Sequence, residues 1–554
     1  MSGPLRRARH PLSRKAAKNM PSSSVRIAAE LAAAVVLYRF SVSPLVRWGS
    51  RGLASATRRP APLHGAYPER PLAAGDLARV CAVAGPVTLG ALTVAAPPGD
   101  VGLVPTVALL LALWKCLTLD YDIARELGPQ RADRLIALAL GLTALLLPPL
   151  RLLAVIWLCG RLGAWTHHSM ACLRIVKASF AWSLVTGAAA LLVGASPADE
   201  DAGMLVLLGS VFLSHYVVAF RSKWRLAGNP WGWAARNRTD FLVACAYVWG
   251  WGRFLPRPVA RRVVVALAPW TVVLNTATML VQGMGLIAFL NRWVFLAAVL
   301  GAVLFNVVVA LFSGLLFWDN IAIGVALALV AARLHEQAPA FGPVPWLTSA
   351  VILTLVLRGW AWKPTGLGWW DTPFAARVHW TATLEDGRRV GVYNNLLCPY
   401  DREFGRSVGN PLTTERFVTF TMGGVQDSAI RDRLLGLRSG GRELRLLKDR
   451  HGESHWDPDF RQRHVEYLKR FFARLGSGTQ KSPLPRAVRW LKAPGSHLYY
   501  WGALPGYRRK DGPVTAVQVH YQEVLFSPDR RDWLSVRDTL LFEIDVASAP
   551  GHPH

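Results

Sequence analysis

Acidic residues are scarce in this chain: 35 Asp and Glu stand against 63 Lys and Arg, a formal charge of +28. Charge of either sign is thin, at 18% of 554 residues, while hydrophobic residues reach 52% and the mean hydropathy is +0.26. A soluble domain carries about a quarter of its residues charged, so this balance excludes an ordinary soluble protein and indicates a polytopic membrane protein. Cys81, Cys116, Cys159, Cys172, Cys245 and Cys398 are dispersed, with no C-x-x-C pair, which argues against a zinc site and against a dense disulfide framework. Five of them lie in or beside apolar segments, where a small buried hydrophobe is the usual role. No metal is expected. The chain also lacks a Gly-rich phosphate loop in a credible context, an H-E-x-x-H and a G-x-S-x-G element, so nothing points to an ATPase or a metalloprotease.

What the chain has instead is a succession of apolar runs from about Val25 to Trp362. A spanning helix needs about 20 apolar residues, and by that rule candidates centre on Ala34, Leu89, Leu110, Leu147, Val185, Leu208, Val248, Val272, Leu304, Val325 and Leu353. The first and the Val248 segment are the weakest, so about nine or ten transmembrane helices are expected in a multi-pass protein of the cell membrane. Basic residues fall mostly in short segments between these runs, where they set orientation; nucleic acid is not an expected partner, and the lipid bilayer is. Residues 1–24 are basic, with no acid before the first apolar run, which predicts a cytoplasmic N-terminus. A signal peptide is the alternative, but Arg39 follows a short run and no small-residue cleavage site is evident.

From about residue 363 the composition turns polar, and 363–554 reads as a soluble α+β domain. ARVHWTATL, EDG and RRVGVYN form a strand, an Asp-Gly turn and a second strand, predicting a hairpin over 376–394. Asp457 before Pro458 opens a helix running to Gly476. Alternating stretches from Val514 and from Thr539 predict a further strand pair.

Ionisable groups within the apolar runs are the functional candidates, because burying charge in a membrane is expensive. In HYVVAFRSKWRLAGNPWGW, residues 215–233, Tyr216 and Lys223 share a helix face. Lys223 is then either a base in an apolar pocket or, with Arg221 and Arg225, part of an interfacial basic cluster. In AWTHHSMACLRIVKASFAWS, residues 164–183, His167 and His168 point about 100° apart on a helix, so one of them faces any shared site. Asp319, the only carboxylate between Arg262 and Glu336, reads best as the cap of a helix starting at Asn320; pairing with Arg292 or Lys223 is the other reading.

W-T-H-H-S-M from Trp165 and, about 46 residues later, Y-V-V-A-F-R-S-K from Tyr216 resemble two motifs of the superfamily that joins the vitamin K-dependent gamma-carboxylases to the horizontally transferred transmembrane (HTTM) proteins. The resemblance covers roughly residues 75–362. It implies that Lys223 is a catalytic base and that His168 orients or stabilises the developing anion. VQGMGLIAFLNRWVFLAAVLGAVLFNVVVALFSGLLFW, residues 281–318, is similar to the helix pair that follows in the family. There Gln282 and Asn306 stand where bacterial members often carry Glu and His, and Phe220 replaces a glycine. These departures keep hydrogen bonding but remove a charge and a titratable group. Tyr216, Gln282 and Asn306 are the implied substrate-binding residues. The implied cofactor is a reduced quinone, menaquinol or vitamin K hydroquinone, which O2 oxygenates to give a strong base, and the implied partner is a peptide or protein whose Glu is carboxylated. The competing class is a non-catalytic polytopic membrane protein in peptide maturation, export or immunity. Enclosure of Lys223 by helices bearing His168 and Gln282, with a lipid-sized opening, favours the enzyme, and exposure beside Arg221 and Arg225 favours the other. A transporter built from two matching halves is not suggested, since no internal symmetry is evident.

Overall fold

The computed structural model describes residues 23–42, 102–147, 185–334, 339–360, 364–397, 410–493 and 502–546, apart from scattered positions within those ranges. The described chain is mostly helical: α1 (Ser23–Leu37), α2 (Leu103–Thr118), α3 (Leu127–Leu146), α4 (Pro197–Ala227), α5 (Thr239–Val248), α6 (Arg257–Leu286), α7 (Arg292–Ser313), α8 (Trp318–Arg333) and α9 (Pro343–Leu357) precede the tail.

The central post is α4. Ser196 caps it by accepting from the Asp199 backbone at 3.2 Å, Pro197 occupies its first turn, and Asp199 and Glu200 face the positive helix end. Gly228, at φ 78°, ends it in the left-handed region. Between Asp201 and Arg221 no residue is charged; at 1.5 Å per residue that stretch is about 28 Å long, close to the ~30 Å hydrocarbon thickness of a bilayer. The apolar window of α4 is 78% buried by its neighbours, against 22% for α6 and 33% for α7. The outer pair instead presents Val272, Val273, Leu280, Leu300, Leu304 and Leu311 outward, a surface suited to lipid and not to water.

Among the described residues these three helices, α4, α6 and α7, are long and apolar enough to cross a membrane. That is fewer than the nine or ten expected from apolar runs, and the reason is local. The runs at Leu110, Val248 and Leu353 form helices of 16, 10 and 15 residues, short of the ~20 a span requires; the Val325 run gives 16 residues in α8. The Leu89 run lies outside the described residues, the Leu147 centre falls at the end of α3, and the Val185 run is described only in part.

The first strand of the tail begins at Trp370, beyond the compositional break at 363. β1 (Trp370–Asp371), β2 (Phe374–Leu384), β3 (Arg389–Val392), β4 (Arg416–Phe417) and β5 (Gly424–Val425) lead to α10 (Ser428–Gly436), α11 (Arg442–His451), β6 (Glu453–Ser454), α12 (Pro458–Gly476), β7 (Val514–Ser527) and β8 (Asp532–Asp545). The main sheet is antiparallel, in the order β3-β2-β7-β8. The expected hairpin is β2–β3, and its turn depends on Gly387 at φ 80°. Gly387→Ala is expected to cost about 1 kcal/mol, since a Cβ is disfavoured there; a drop in thermal midpoint checks it, and an unchanged midpoint would count against this turn.

The sheet's two faces are used differently. Inward, Val378, Trp380, Val519 and Tyr521 pack with Phe460, Leu468 and Phe471 of α12 in one apolar core. Outward, at one end, Ala375, Val524, Phe526 and Trp533 pack on Phe241, Ala244 and Cys245 of α5. Trp533 fastens that contact: its indole N–H donates to the Ala244 carbonyl at 3.0 Å, and its ring stacks on Tyr247 at 4.5 Å.

Candidate functional site

Lys223 lies near the C-terminal end of α4, just beyond the uncharged stretch, yet it is only 7% exposed. Its neighbours Trp224 and Arg225 are exposed, so the helix turns one face to solvent or headgroups and the lysine inward. The Lys223 ammonium donates to Gln282 Oε1 of α6 at 3.2 Å and to the Leu367 carbonyl at 2.8 Å, and it sits 5.0 Å from the Trp233 ring centroid. Among the described residues, no carboxylate lies within ion-pair distance of it. Arg221 is drawn elsewhere, donating to the Leu357 carbonyl at the end of α9.

The cover over Lys223 is the segment leading into β1. Gly368 lies flat on α4: a Cβ there would stand 2.7 Å from the Ser222 carbonyl carbon, so only glycine allows this approach. Trp233, in the short helix Gly232–Arg236, donates to the Trp369 carbonyl at 2.7 Å. Asp371, 3% exposed, accepts from Asn237 Nδ2 at 2.7 Å and Trp369 Nε1 at 2.9 Å, and its own N–H donates to Asn237 Oδ1. Asn275 of α6 in turn donates to the Asn237 carbonyl at 2.9 Å. A buried polar network therefore joins α4, α6 and the start of the tail, with Lys223 at one end and Asp371 at the other.

Burial pushes the Asp371 carboxyl up to about 6, against the hydrogen bonds from Asn237 and Trp369 and the Lys223 charge. A carboxyl raised on folding contributes stability that is fully present below its unfolded value near 4 and is lost as pH rises through about 6. The stability difference between Asp371→Asn and wild type is therefore expected to move in favour of Asn between pH 4 and 7. Thermal midpoints across that range check it; a pH-independent difference would contradict the raised value.

Deeper in the bundle, seven residues from Lys223 along α4 or about 10 Å, Tyr216 is buried and accepts from Asn306 Nδ2 of α7 at 2.6 Å. The candidate residues thus meet as two pairs, Lys223 with Gln282 and Tyr216 with Asn306, rather than as a single ring. His168 lies outside the described residues. Asp319 does not cap a helix starting at Asn320: α8 begins at Trp318, the cap position is Phe317, and the fully buried Asp319 sits within the first turn. Nor does it pair with Arg292, which donates to the Leu334 carbonyl.

Trp233, the Leu367 carbonyl and the Asn237–Asp371 pair were not among the sequence candidates. A backbone carbonyl has no sequence signature, but Asp371 does have one: it is the only carboxylate between Glu336 and Glu385. Comparison with protein families, with curated proteins and with solved structures gave no match to this chain.

Proposed function

We propose that the chain is a multi-pass protein of the cell membrane with a cytoplasmic N-terminus, and that Lys223 is the proton-transfer base of a quinol-dependent, gamma-carboxylase-like reaction. Among the described residues the three helices long and apolar enough to cross a membrane, α4, α6 and α7, support the membrane reading. The observation that carries the catalytic reading is the enclosure of the Lys223 amine: 7% exposed, beside Gln282, and with no carboxylate at ion-pair distance among the described residues. The neutral form of a lysine amine is the form that accepts a proton.

The residues suit a quinol in kind. The amine and the Gln282 carboxamide offer a proton acceptor and a hydrogen-bonding group for a ring hydroxyl, and the indole of Trp233 offers an aromatic wall. A bound quinol supplies reducing equivalents for oxygen chemistry. For their part, Gln282 aims the amine, while the Gly366–Trp370 segment and Trp233 exclude the water that quenches a strong base. Gln282 and Asn306 add no titratable group of their own, so proton transfer rests on Lys223, with His168 as its companion in the family reading. The acceptor of such chemistry is a peptide or protein Glu.

Mass spectrometry of extracts from the purified protein tests the cofactor: a stoichiometric menaquinone or vitamin K-type quinone is expected, and a quinone-free preparation that also fails to bind added quinone would contradict it.

A second reading has its own observation. Lys223 holds the Leu367 carbonyl at 2.8 Å while Gly368 lies against Ser222. A non-catalytic membrane protein of peptide maturation, export or immunity would use the same lysine to fasten its tail to the bundle.

A further inference from the structure

On the outer face of the main sheet, beyond the end covered by α5, Arg377, His379 and Thr381 of β2 stand opposite Gln522, His520 and Gln518 of β7. The two imidazoles stack with ring centroids 5.1 Å apart and 15° between planes. Nδ1 of His379 is buried and has no hydrogen-bond partner among the described residues. Arg377, Arg253 and Arg389 all lie close enough to this ring to disfavour its protonation, with burial contributing most, so His379 is neutral.

Each of these guanidiniums is held by neutral groups. Arg377 donates through Nε to Gln522 Oε1 at 3.0 Å. Arg253, in the turn after α5, donates to the Tyr247 carbonyl at 2.8 Å and lies 4.7 Å from the Tyr247 ring centroid. Arg389 reaches Thr381 Oγ1 at 3.3 Å and lies 3.4 Å from His520 Nε2. Among the described residues none of the three has a carboxylate at ion-pair distance; the acid facing the cluster, Asp538, lies 3.8 Å from His520 and accepts from Gln522 at 2.9 Å. Burial, then the neighbouring Arg253, pushes Arg377 down to about 9. Positive charge gathered in a half-buried niche without a matching acid is costly unless an anion joins it.

The niche also has a defined level. Trp251, in the same turn as Arg253, donates to the Leu311 carbonyl near the C-terminal end of α7, at 2.8 Å, and Phe254 is 58% exposed. Exposed aromatics beside the end of a membrane-crossing helix mark the membrane–water boundary.

We propose that Arg377, Arg253 and Arg389, converging on His379 across the outer sheet face, bind a phosphate group at the membrane–water boundary, carried by an acidic lipid headgroup or free in solution. Guanidinium forks match phosphate oxygens in pairs, and the unpartnered Nδ1 of His379 supplies a further donor in the tautomer that protonates it. The ligand atoms of His379, His520 and Asp538 lie within 4.8 Å of one another, a spacing that also suits a metal ion. Three guanidiniums at the same place oppose a divalent cation and favour the anion.

The test uses the full-length protein in neutral detergent at low salt, with thermal midpoints read against inorganic phosphate, dihexanoyl phosphatidylglycerol and zinc chloride. Saturable stabilisation by a phosphate-bearing ligand is expected, weakened about tenfold or more by Arg377→Gln and also by Arg389→Gln, whose exposed position spares the fold. A stronger response to the lipid than to inorganic phosphate assigns a headgroup; an equal response assigns free phosphate. The proposal is overturned if neither phosphate source stabilises the protein, if both variants respond as wild type does, or if zinc alone stabilises it.

Discussion

On the proposed catalytic reading, Lys223→Ala is expected to lower quinol-dependent turnover by about 10²- to 10⁴-fold, the range a positioned acid–base group contributes, and Lys223→Arg to leave it equally low. Arginine keeps a charge and several donors, so it can hold the Leu367 carbonyl and the Gln282 carboxamide, but it does not give up its proton. The two substitutions therefore separate the readings of this residue. If Lys223 only fastens Gly366–Trp370 to α4, arginine restores whatever alanine loses, and protease resistance at the start of the tail tracks that recovery. If Lys223 moves a proton, alanine and arginine fail alike in turnover while only alanine loosens the tail. Oxygen uptake with added menaquinol, alongside limited proteolysis, reads both quantities on the same preparations. Full turnover in the arginine variant would remove the catalytic role.

Lys448→Met is expected to destabilise the tail by about 3–5 kcal/mol, the usual result of taking one partner from a buried ion pair. Lys448, on α11, bridges Glu415 at 2.8 Å and Glu523 at 2.7 Å. Glu523 projects from the inner face of β7, only 3% exposed, and also accepts from the Tyr521 hydroxyl at 2.6 Å. Although burial opposes it, the hydrogen bond and charge of Lys448, joined by Arg537, hold the Glu415 carboxyl below the ordinary range. Burial and the Glu523 charge push the Tyr521 phenol up, so it stays a neutral donor. Without Lys448, Arg537 still compensates Glu415 at 2.7 Å, whereas Glu523 keeps only a neutral partner. Adding Glu523→Gln to the Lys448→Met variant should recover much of the loss, because the stranded charge is removed. Unfolding followed by near-UV circular dichroism in detergent measures it; a change below ~1 kcal/mol in the single variant, within the range typical of exposed pairs, would contradict the buried bridge.

Much of the tail could be read from pattern alone. Alternation across ARVHWTATL and RRVGVYN gave β2 and β3 with an Asp-Gly turn between them, and Asp457-Pro458 marked the start of α12, where the Asp457 carboxylate does accept from the Phe460 backbone at 2.9 Å. β8 was less legible: it starts at Asp532, not Thr539, because its early part, WLSVRD, carries polar residues on an open face and its pairing shifts at Glu523/Val524. Helix count was harder still. Apolar composition marks burial without saying whether lipid or protein does the burying, and α5, at 10 residues, meets the apolar end of a sheet instead of crossing a bilayer. At the candidate site, the shared face of Tyr216 and Lys223 followed from helical spacing, and Gln282 was named as a candidate without its contact to Lys223 being foreseen. The closing contacts did not, since the Leu367 carbonyl and the Gly368 approach arise only when two segments 144 residues apart are brought together.

Lysine-directed labelling of the native, membrane-inserted protein with a water-soluble acylating reagent, mapped by peptide mass spectrometry, tests the enclosure of Lys223 most directly. Lys223 should remain unmodified under conditions that acylate the exposed Lys510, and should become reactive once the protein is denatured. Equal labelling of both lysines in the native protein would mean that the amine is open to water, and the account built on its burial would be wrong.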